Sequence, residues 1–368
     1  MTGKKLKQYS LGYFNFARGL GTLIVIAGHS MALFLQPADT SITLPVFMGA
    51  GRIVGAGIMA MFFMVSGFYF HPRPNGWCIR VQSRLLLKRY YLTAAAIVVG
   101  HGVIALLRGN SYRDYGALLI RTYLFGFNAV NGETFLGGPI GTVSIFWFIL
   151  ALFVGWITYN LICCIKNSKI EYVCVVLCVL AGWALTKITR VWPMAIPMGL
   201  IAVGYIAVGV EIRKRRLLEH GVSKPLFAVI ACIALISLAF GYVDMSVCIW
   251  KLGLLDVAGS FCMGYILMRL YSKLAEFNLQ GFIVRHAENM GLHSIWVLCL
   301  HAFEKTIIPW KLLVNIFPNH PGLCALICFV GRLFVISVLF WMLYRLRKKI
   351  RRRRKKSIVI EDYSEENL

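Results

Sequence analysis

Val143-Ser-Ile-Phe-Trp-Phe-Ile-Leu-Ala-Leu-Phe-Val-Gly-Trp-Ile-Thr-Tyr-Asn-Leu-Ile-Cys-Cys164 runs through 22 positions without one charged side chain. About 20 such residues, rising ~1.5 Å each as a helix, cover the ~30 Å hydrocarbon core of a bilayer. No water is present there to satisfy loose backbone groups, so a crossing segment must close its hydrogen bonds within itself. The stretch therefore reads as a transmembrane helix.

Stretches like it recur along the whole chain, separated by Gly, Pro and charged residues. Ten are read, at 14–35, 50–70, 86–107, 143–164, 171–187, 193–210, 226–242, 250–270, 290–308 and 322–345. Over 368 residues, 59% are hydrophobic and only 15% charged, with a mean hydropathy of +0.71. That composition excludes a water-soluble globule. The absence of long polar tracts, repeats and sustained heptads argues against disorder, collagen and coiled-coil rods. The expected fold is all-α, a polytopic transmembrane bundle of about ten helices.

Lys and Arg number 39 against 15 Asp and Glu, a formal charge of +24. With ten spans both ends of the chain fall on one side, and 28 of the cations fall there with them. Nine (Arg52, Arg108, Arg113, Arg121, Lys187, Arg190, Lys251, Lys305 and Lys311) lie opposite, and Arg18 and Arg332 sit within spans. Cytoplasmic loops carry the excess of Lys and Arg, so both termini are expected in the cytoplasm. The first apolar run lacks a small-residue cleavage site and reads as a retained helix. Residues 1–345 form the transmembrane domain. Residues 346–368, basic at Arg345–Lys356 and acidic at Glu361–Glu366, are expected to be a disordered tail that touches anionic lipid headgroups, with no nucleic-acid role. No further soluble domain is expected.

Eleven Cys, most of them inside apolar runs and none in a C-x-x-C pair, read as buried reduced thiols. The external segment 108–142 is unusually long and glycine-rich over Gly126–Pro139. Its apolar part, Leu118–Phe127, is too short to span and suggests a re-entrant or interfacial piece.

Two ionisable groups share the first span, Arg18-Gly-Leu-Gly-Thr-Leu-Ile-Val-Ile-Ala-Gly-His29. An offset of eleven residues is about 1100°, three turns plus roughly 20°, with a rise of about 16 Å. The two side chains therefore share a face, Arg18 near the cytoplasmic surface and His29 at mid-depth or beyond. A guanidinium is a fixed, forked phosphate donor, and a neutral imidazole takes a proton from a hydroxyl at ordinary pH. The pair suits an anionic donor docking from the cytoplasm with its reactive end reaching inward. The plainer alternative is an Arg18 that snorkels to headgroups and a His29 bonded to a neighbouring helix.

Arg18 to His29 matches the R-x10-H signature of the membrane-bound acyltransferase 3 family, and Tyr13-Phe-Asn-Phe-Ala-Arg-Gly-Leu resembles that family's opening. Met61-Phe-Phe-Met-Val-Ser-Gly-Phe68 is similar to its aromatic run ending in Ser-Gly-Phe, Ile145-Phe-Trp-Phe-Ile-Leu150 to its Trp-Phe-Leu helix, and Gly291-Leu-His-Ser-Ile-Trp-Val-Leu-Cys-Leu-His301 to its Gly-x-x-Ser-x6-His segment. The likeness covers roughly residues 13–345, with the motifs in the family's order. It implies ten helices and transfer of an acyl group, usually acetyl from cytoplasmic acetyl-CoA, to a hydroxyl of an extracytoplasmic acceptor, often a carbohydrate. His29 would be catalytic and Arg18 would place the donor.

The family's basic Arg-x-x-Arg after the second span, which would help hold CoA, reads Arg84-Leu-Leu-Leu-Lys-Arg89 here, with Leu86 in the place of the first Arg. Arg84, Lys88 and Arg89 are the candidate CoA ligands, and topology alone also accounts for a basic loop. Ser66 and Trp147 are candidate substrate contacts, though helix packing explains both. His301 and Glu304 share a helical face, where a carboxylate can orient an imidazole; an interfacial pair with Lys305 is the alternative. His101 and Arg332 read as structural.

No bound metal and no permanent cofactor is expected, acyl-CoA being a co-substrate. The signatures of ATP, dinucleotide and zinc-protease sites are missing. Expected partners are acyl-CoA, a hydroxyl acceptor, membrane lipids and, as an assembly, a homodimer. The expected location is the bacterial cytoplasmic membrane. The competing class is a non-enzymatic transporter or receptor for a small anionic or sugar ligand, although no inverted repeat or pair of broken helices points that way.

Overall fold

The computed structural model describes residues 12–35, 51, 54–128, 132–165, 167–189, 191–277 and 280–365. Lys4, Lys5, Lys7, Arg52, Lys166, Arg190 and Glu366 lie outside the described residues, as do positions 129–131 of the external segment. The described chain is helical nearly throughout, its only sheet being two hairpins of two residues per strand.

Helix α1 (Asn15–Phe34) is followed by a π-helical turn, Val54–Ile58, that opens α2 (Met59–Phe68). α3 is a 33-residue helix, Asn75–Leu107, interrupted by a π turn at Ser83–Leu87. α4 (Arg113–Phe125) and the hairpin β1 (Thr134–Phe135) and β2 (Gly138–Pro139) make up the external segment. Then come α5 (Trp147–Ile162), α6 (Ser168–Ile188), α7 (Ile196–Lys214), the single turn α8 (Leu217–His220) and α9 (Lys224–Phe240). Hairpin β3 (Val243–Asp244) and β4 (Ile249–Trp250) leads into α10 (Leu254–Glu276). α11 (Phe282–Leu292), α12 (Ser294–Ile307), the short α13 (Leu313–Ile316) and α14 (Pro321–Glu365) complete the chain.

Seven of the described helices are long and apolar enough to cross a membrane: 15–34, 75–107, 144–162, 168–188, 193–214, 254–275 and 321–346. The protein is a membrane protein with an all-α bundle. The other three expected spans also fall on helices, but shorter ones. Gly55–Phe68 and α9 are apolar helices of under 18 residues, and the expected span 290–308 breaks at His293, between α11 and α12.

α7 and α5 are the buried centre of the bundle, whereas α6 is peripheral and turns Val173, Val176, Leu177 and Leu180 outward. Apolar residues on the outside are what a hydrocarbon solvent selects. Small residues set the closest crossings. A Cβ on Gly67 of α2 would overlap the Ile206 carbonyl of α7, and one on Gly209 would overlap the Met64 carbonyl in return. Ser66, next to Gly67, instead joins α2 to α5, its hydroxyl accepting the Trp156 indole N–H at 2.7 Å. Ser66→Ala is expected to cost about 1–3 kcal/mol, because it leaves a half-buried donor without its acceptor. A thermal melt in detergent that did not move would exclude the packing role.

Asp256 is fully buried at the start of α10, where it accepts from Ser237 Oγ (2.8 Å) and the backbone N–H groups of Tyr242 (3.3 Å) and Leu252 (2.7 Å). This satisfied carboxylate ties the β3–β4 hairpin to α9 and α10. On the opposite end Asn160 of α5 accepts from Arg73 N–H (3.0 Å) and donates to the Arg73 carbonyl (2.9 Å) and to Asn75 Oδ1 (2.7 Å), clamping the chain before α3.

α14 runs on as helix through the basic segment to Glu365; from Arg345 to Glu365 the sequence contains no Gly or Pro to end it. All eleven Cys are free, as expected, but Cys164 and Cys232 are exposed. Cys232 lies on α9, whose outer face is apolar throughout, so an outward thiol is no anomaly there. The short apolar run of the external segment is the second half of α4, which buries Leu119 and Tyr123 and exposes Tyr115, Ile120 and Leu124. Gly126, at φ +68°, stops that helix in a left-handed turn that a side chain would strain.

Candidate functional site

α1 presents an outward stripe at Leu20 and Ile24 and an inward one at Thr22, Ile26 and Ser30. Arg18 and His29 fall on the inward side, since their eleven-residue offset brings them nearly into line with each other and with Thr22. Both are half-buried. α1 packs against α11, α12 and α14, and these helices supply what surrounds the two cations.

Arg18 occupies the N-terminal end of α1. Its Nη2 donates to Asn15 Oδ1, and its charge is felt by the phenols of Tyr69 and Tyr271. Its Nε is buried without a hydrogen-bond partner. Aromatic rings wall this end: Phe14 meets Phe68 edge to face at 5.2 Å and Tyr271 at 5.4 Å, and Tyr13 meets Tyr271 at 5.5 Å.

His29 lies three turns away, its ring centroid 5.5 Å from that of His301 on α12. His301 Nδ1 is 2.6 Å from Glu304 Oε1, the pair being one helical turn apart on the same face. Glu304 Oε2 accepts the Trp310 indole N–H at 2.6 Å, and its Oε1 lies 3.7 Å from Arg332 Nε of α14. Arg332 in turn stands over the Trp310 ring at 6.0 Å. His301, Glu304 and Arg332 are each at most 1% exposed. Lys305 turns the other way, donating to Ser144 Oγ at 2.9 Å. Ser144 takes a left-handed backbone conformation (φ +53°) in the turn before α5, a geometry that costs a non-glycine residue of order 1–3 kcal/mol.

The structure therefore brings together His29, His301 and Glu304, and adds Arg332 and Trp310. The alternative pairing of Glu304 with Lys305 at an interface is not what forms, because Glu304 is buried and its oxygens are engaged by His301, Trp310 and Arg332. Arg332, read from the sequence as structural, is the counter-ion of the group. A lone cation in the middle of an apolar run gives no sign of which carboxylate it meets, so this partnership had no sequence signal.

The three candidate CoA ligands do not share one environment. Arg84 lies within the π turn at Ser83–Leu87, and Lys88 and Arg89, being consecutive, point about 100° apart on the helix that follows. Arg84 and Lys88 are exposed, Leu86 is buried, and Arg89 is turned onto the Trp296 ring of α12 at 5.2 Å. Ser66 is held by Trp156, and Trp147 is buried against Phe63 (6.4 Å) and Phe148 (6.0 Å); both are packed away in the α2–α5 core. His101 stands edge to face with Tyr115 at 5.3 Å. Among the described residues no group of three His, Cys, Asp or Glu is arranged to hold a metal ion.

Comparison with known proteins gives no match: no family, no curated protein and no solved structure is recognisably similar to this chain.

Proposed function

We propose that the protein is an integral-membrane O-acyltransferase that moves an acyl group, acetyl in the first place, from cytoplasmic acyl-CoA to a hydroxyl of a carbohydrate on the far side of the membrane. The observation that carries this reading is a single helix holding a guanidinium and an imidazole on one inward face, about 16 Å apart along its axis. A donor that is polyanionic at one end and reactive at the other has that shape: Arg18 takes the anionic part, and the thioester reaches toward His29. The order of the four motifs, R-x10-H among them, supports the same class.

In this reading the chain crosses the membrane ten times with both termini in the cytoplasm. The seven long helices, Gly55–Phe68, α9 and α12 are the crossings, and the excess of cations on one set of loops supports the orientation. Arg84 and Lys88, exposed on α3, stand on that cation-rich side, where they attract the phosphates of CoA.

The test uses the full chain in nanodiscs, acetyl-CoA labelled in the acetyl group, and a carbohydrate extract of the host envelope. His29→Ala is expected to lower label transfer at least about a hundredfold, the usual worth of one positioned acid–base group, with thermal melting and membrane insertion unchanged. Comparing envelope carbohydrates of a deletion strain and its parent by mass spectrometry then identifies the acceptor. Uptake of a sugar or small anion into proteoliposomes, with no acetyl transfer to any fraction, would overturn the enzyme in favour of a transporter.

A further inference from the structure

Building on the acyltransferase reading, we infer that His301 is a second catalytic imidazole: the acceptor hydroxyl is held between His29 and His301, and His301 takes its proton. Glu304 is the positioning residue behind it.

A neutral imidazole has one N–H and one lone pair. Glu304 receives the Trp310 N–H on Oε2 and faces Arg332 with Oε1, so it meets His301 Nδ1 as an acceptor. That assigns the ring hydrogen to Nδ1 and the lone pair to Nε2. Nε2 is buried and has no hydrogen-bond partner. An unpartnered buried acceptor costs about 1–3 kcal/mol, a cost that an incoming O–H removes. On α1, His29 stands beside the same ring, the two centroids 5.5 Å apart.

The neighbouring charges explain why the proton goes to His301. The cations nearby are Lys305, four residues on from His301 along α12, and Arg332, 3.7 Å from Glu304 Oε1. Only His301 has a carboxylate in direct contact. Lys305 is itself held by Ser144 and feels Asp244 of the β3–β4 hairpin, while Cys328 lies against both Arg332 and Ser30. Arg89 of α3 is engaged by Trp296, more than one turn earlier on α12.

The step balances as follows. The hydroxyl proton passes to His301 Nε2 while the oxygen forms its bond to the thioester carbonyl carbon. The carbon–sulfur bond then breaks, and the departing thiolate takes the proton back from Nε2, leaving both rings neutral. No oxidant or further reactant is required.

The experiment measures labelled acetyl transfer by the full chain in nanodiscs, with His29→Ala, His301→Gln and Glu304→Gln beside the wild type. It also records the nitrogen shifts of protein carrying 15N-histidine, with His301→Gln assigning the signal. The expected result is a kcat about a hundredfold lower for His301→Gln and about tenfold lower for Glu304→Gln, with KM for acetyl-CoA unchanged in both. Wild-type His301 should show a protonated Nδ1 and a bare Nε2, and in Glu304→Gln the two tautomers should mix. Wild-type kcat in His301→Gln, with transfer still lost in His29→Ala, would overturn this inference and leave the acyltransferase reading intact. Absence of transfer by the wild type would overturn both. An Nε2-protonated His301 would overturn the inference whether or not His301→Gln folds.

Discussion

Gly19→Val is expected to lower the stability of the protein by about 3 kcal/mol or more, the upper end of what forced overpacking costs. α1 and α11 cross with their backbones touching: a Cβ on Gly19 would overlap the Ala287 carbonyl, and one on Gly291 would overlap the Asn15 carbonyl. Two small residues four apart on α11, Ala287 and Gly291, face Asn15 and Gly19, four apart on α1. That spacing is how transmembrane helices approach closely. Neither obstructing group is a flexible side chain, so the helices themselves must part, and the line from Arg18 to His29 tilts with α1. Gly28→Ala is the control, since a methyl there meets nothing within 4 Å. Thermal melts in detergent should show a clear loss for Gly19→Val and Gly291→Val and none for Gly28→Ala. Equal melting of all three would refute the close crossing.

The second large effect lies in the buried ion pair. Glu304→Leu strands the Arg332 guanidinium in the interior, and breaking a buried pair from one side costs about 3–5 kcal/mol. Arg332→Met strands the carboxylate and is expected to cost a similar amount. The double variant removes both charges at once, so its loss should fall well below the sum of the singles, with a coupling of about 2 kcal/mol. It will not return to wild type, because leucine at position 304 leaves His301 Nδ1 and the Trp310 indole without their acceptor. Strict additivity in a four-member set of melting curves would show that Glu304 and Arg332 do not share one environment.

These two results concern packing and charge pairing, and they separate what a linear chain can disclose from what it cannot. The helical class was readable, because a run such as Val143–Cys164 has one solution in hydrocarbon. The shared face of Arg18 and His29 was readable too, since both ride one helix and the α-helical pitch fixes their relation. So was the His301–Glu304 spacing, for the same reason. The length of the ninth expected span was not: hydropathy runs on through His293, where the backbone turns.

Relations between helices were out of reach for a different reason. That Arg332 meets Glu304, that His29 meets His301, and that Lys305 turns instead to Ser144 depends on which helices become neighbours, and residues on different helices leave no periodic trace of that choice. The π turn at Ser83–Leu87 likewise leaves no mark in the hydropathy pattern, and that Arg89 alone of the three cations meets the Trp296 ring depends on where α12 packs. By itself the sequence determined a membrane-embedded helical bundle and the line of two ionisable groups on α1, because local geometry and the hydrocarbon solvent leave no other option. Only the tertiary structure decided that a buried carboxylate stands behind the second imidazole, because that contact depends on where α12 and α14 pack.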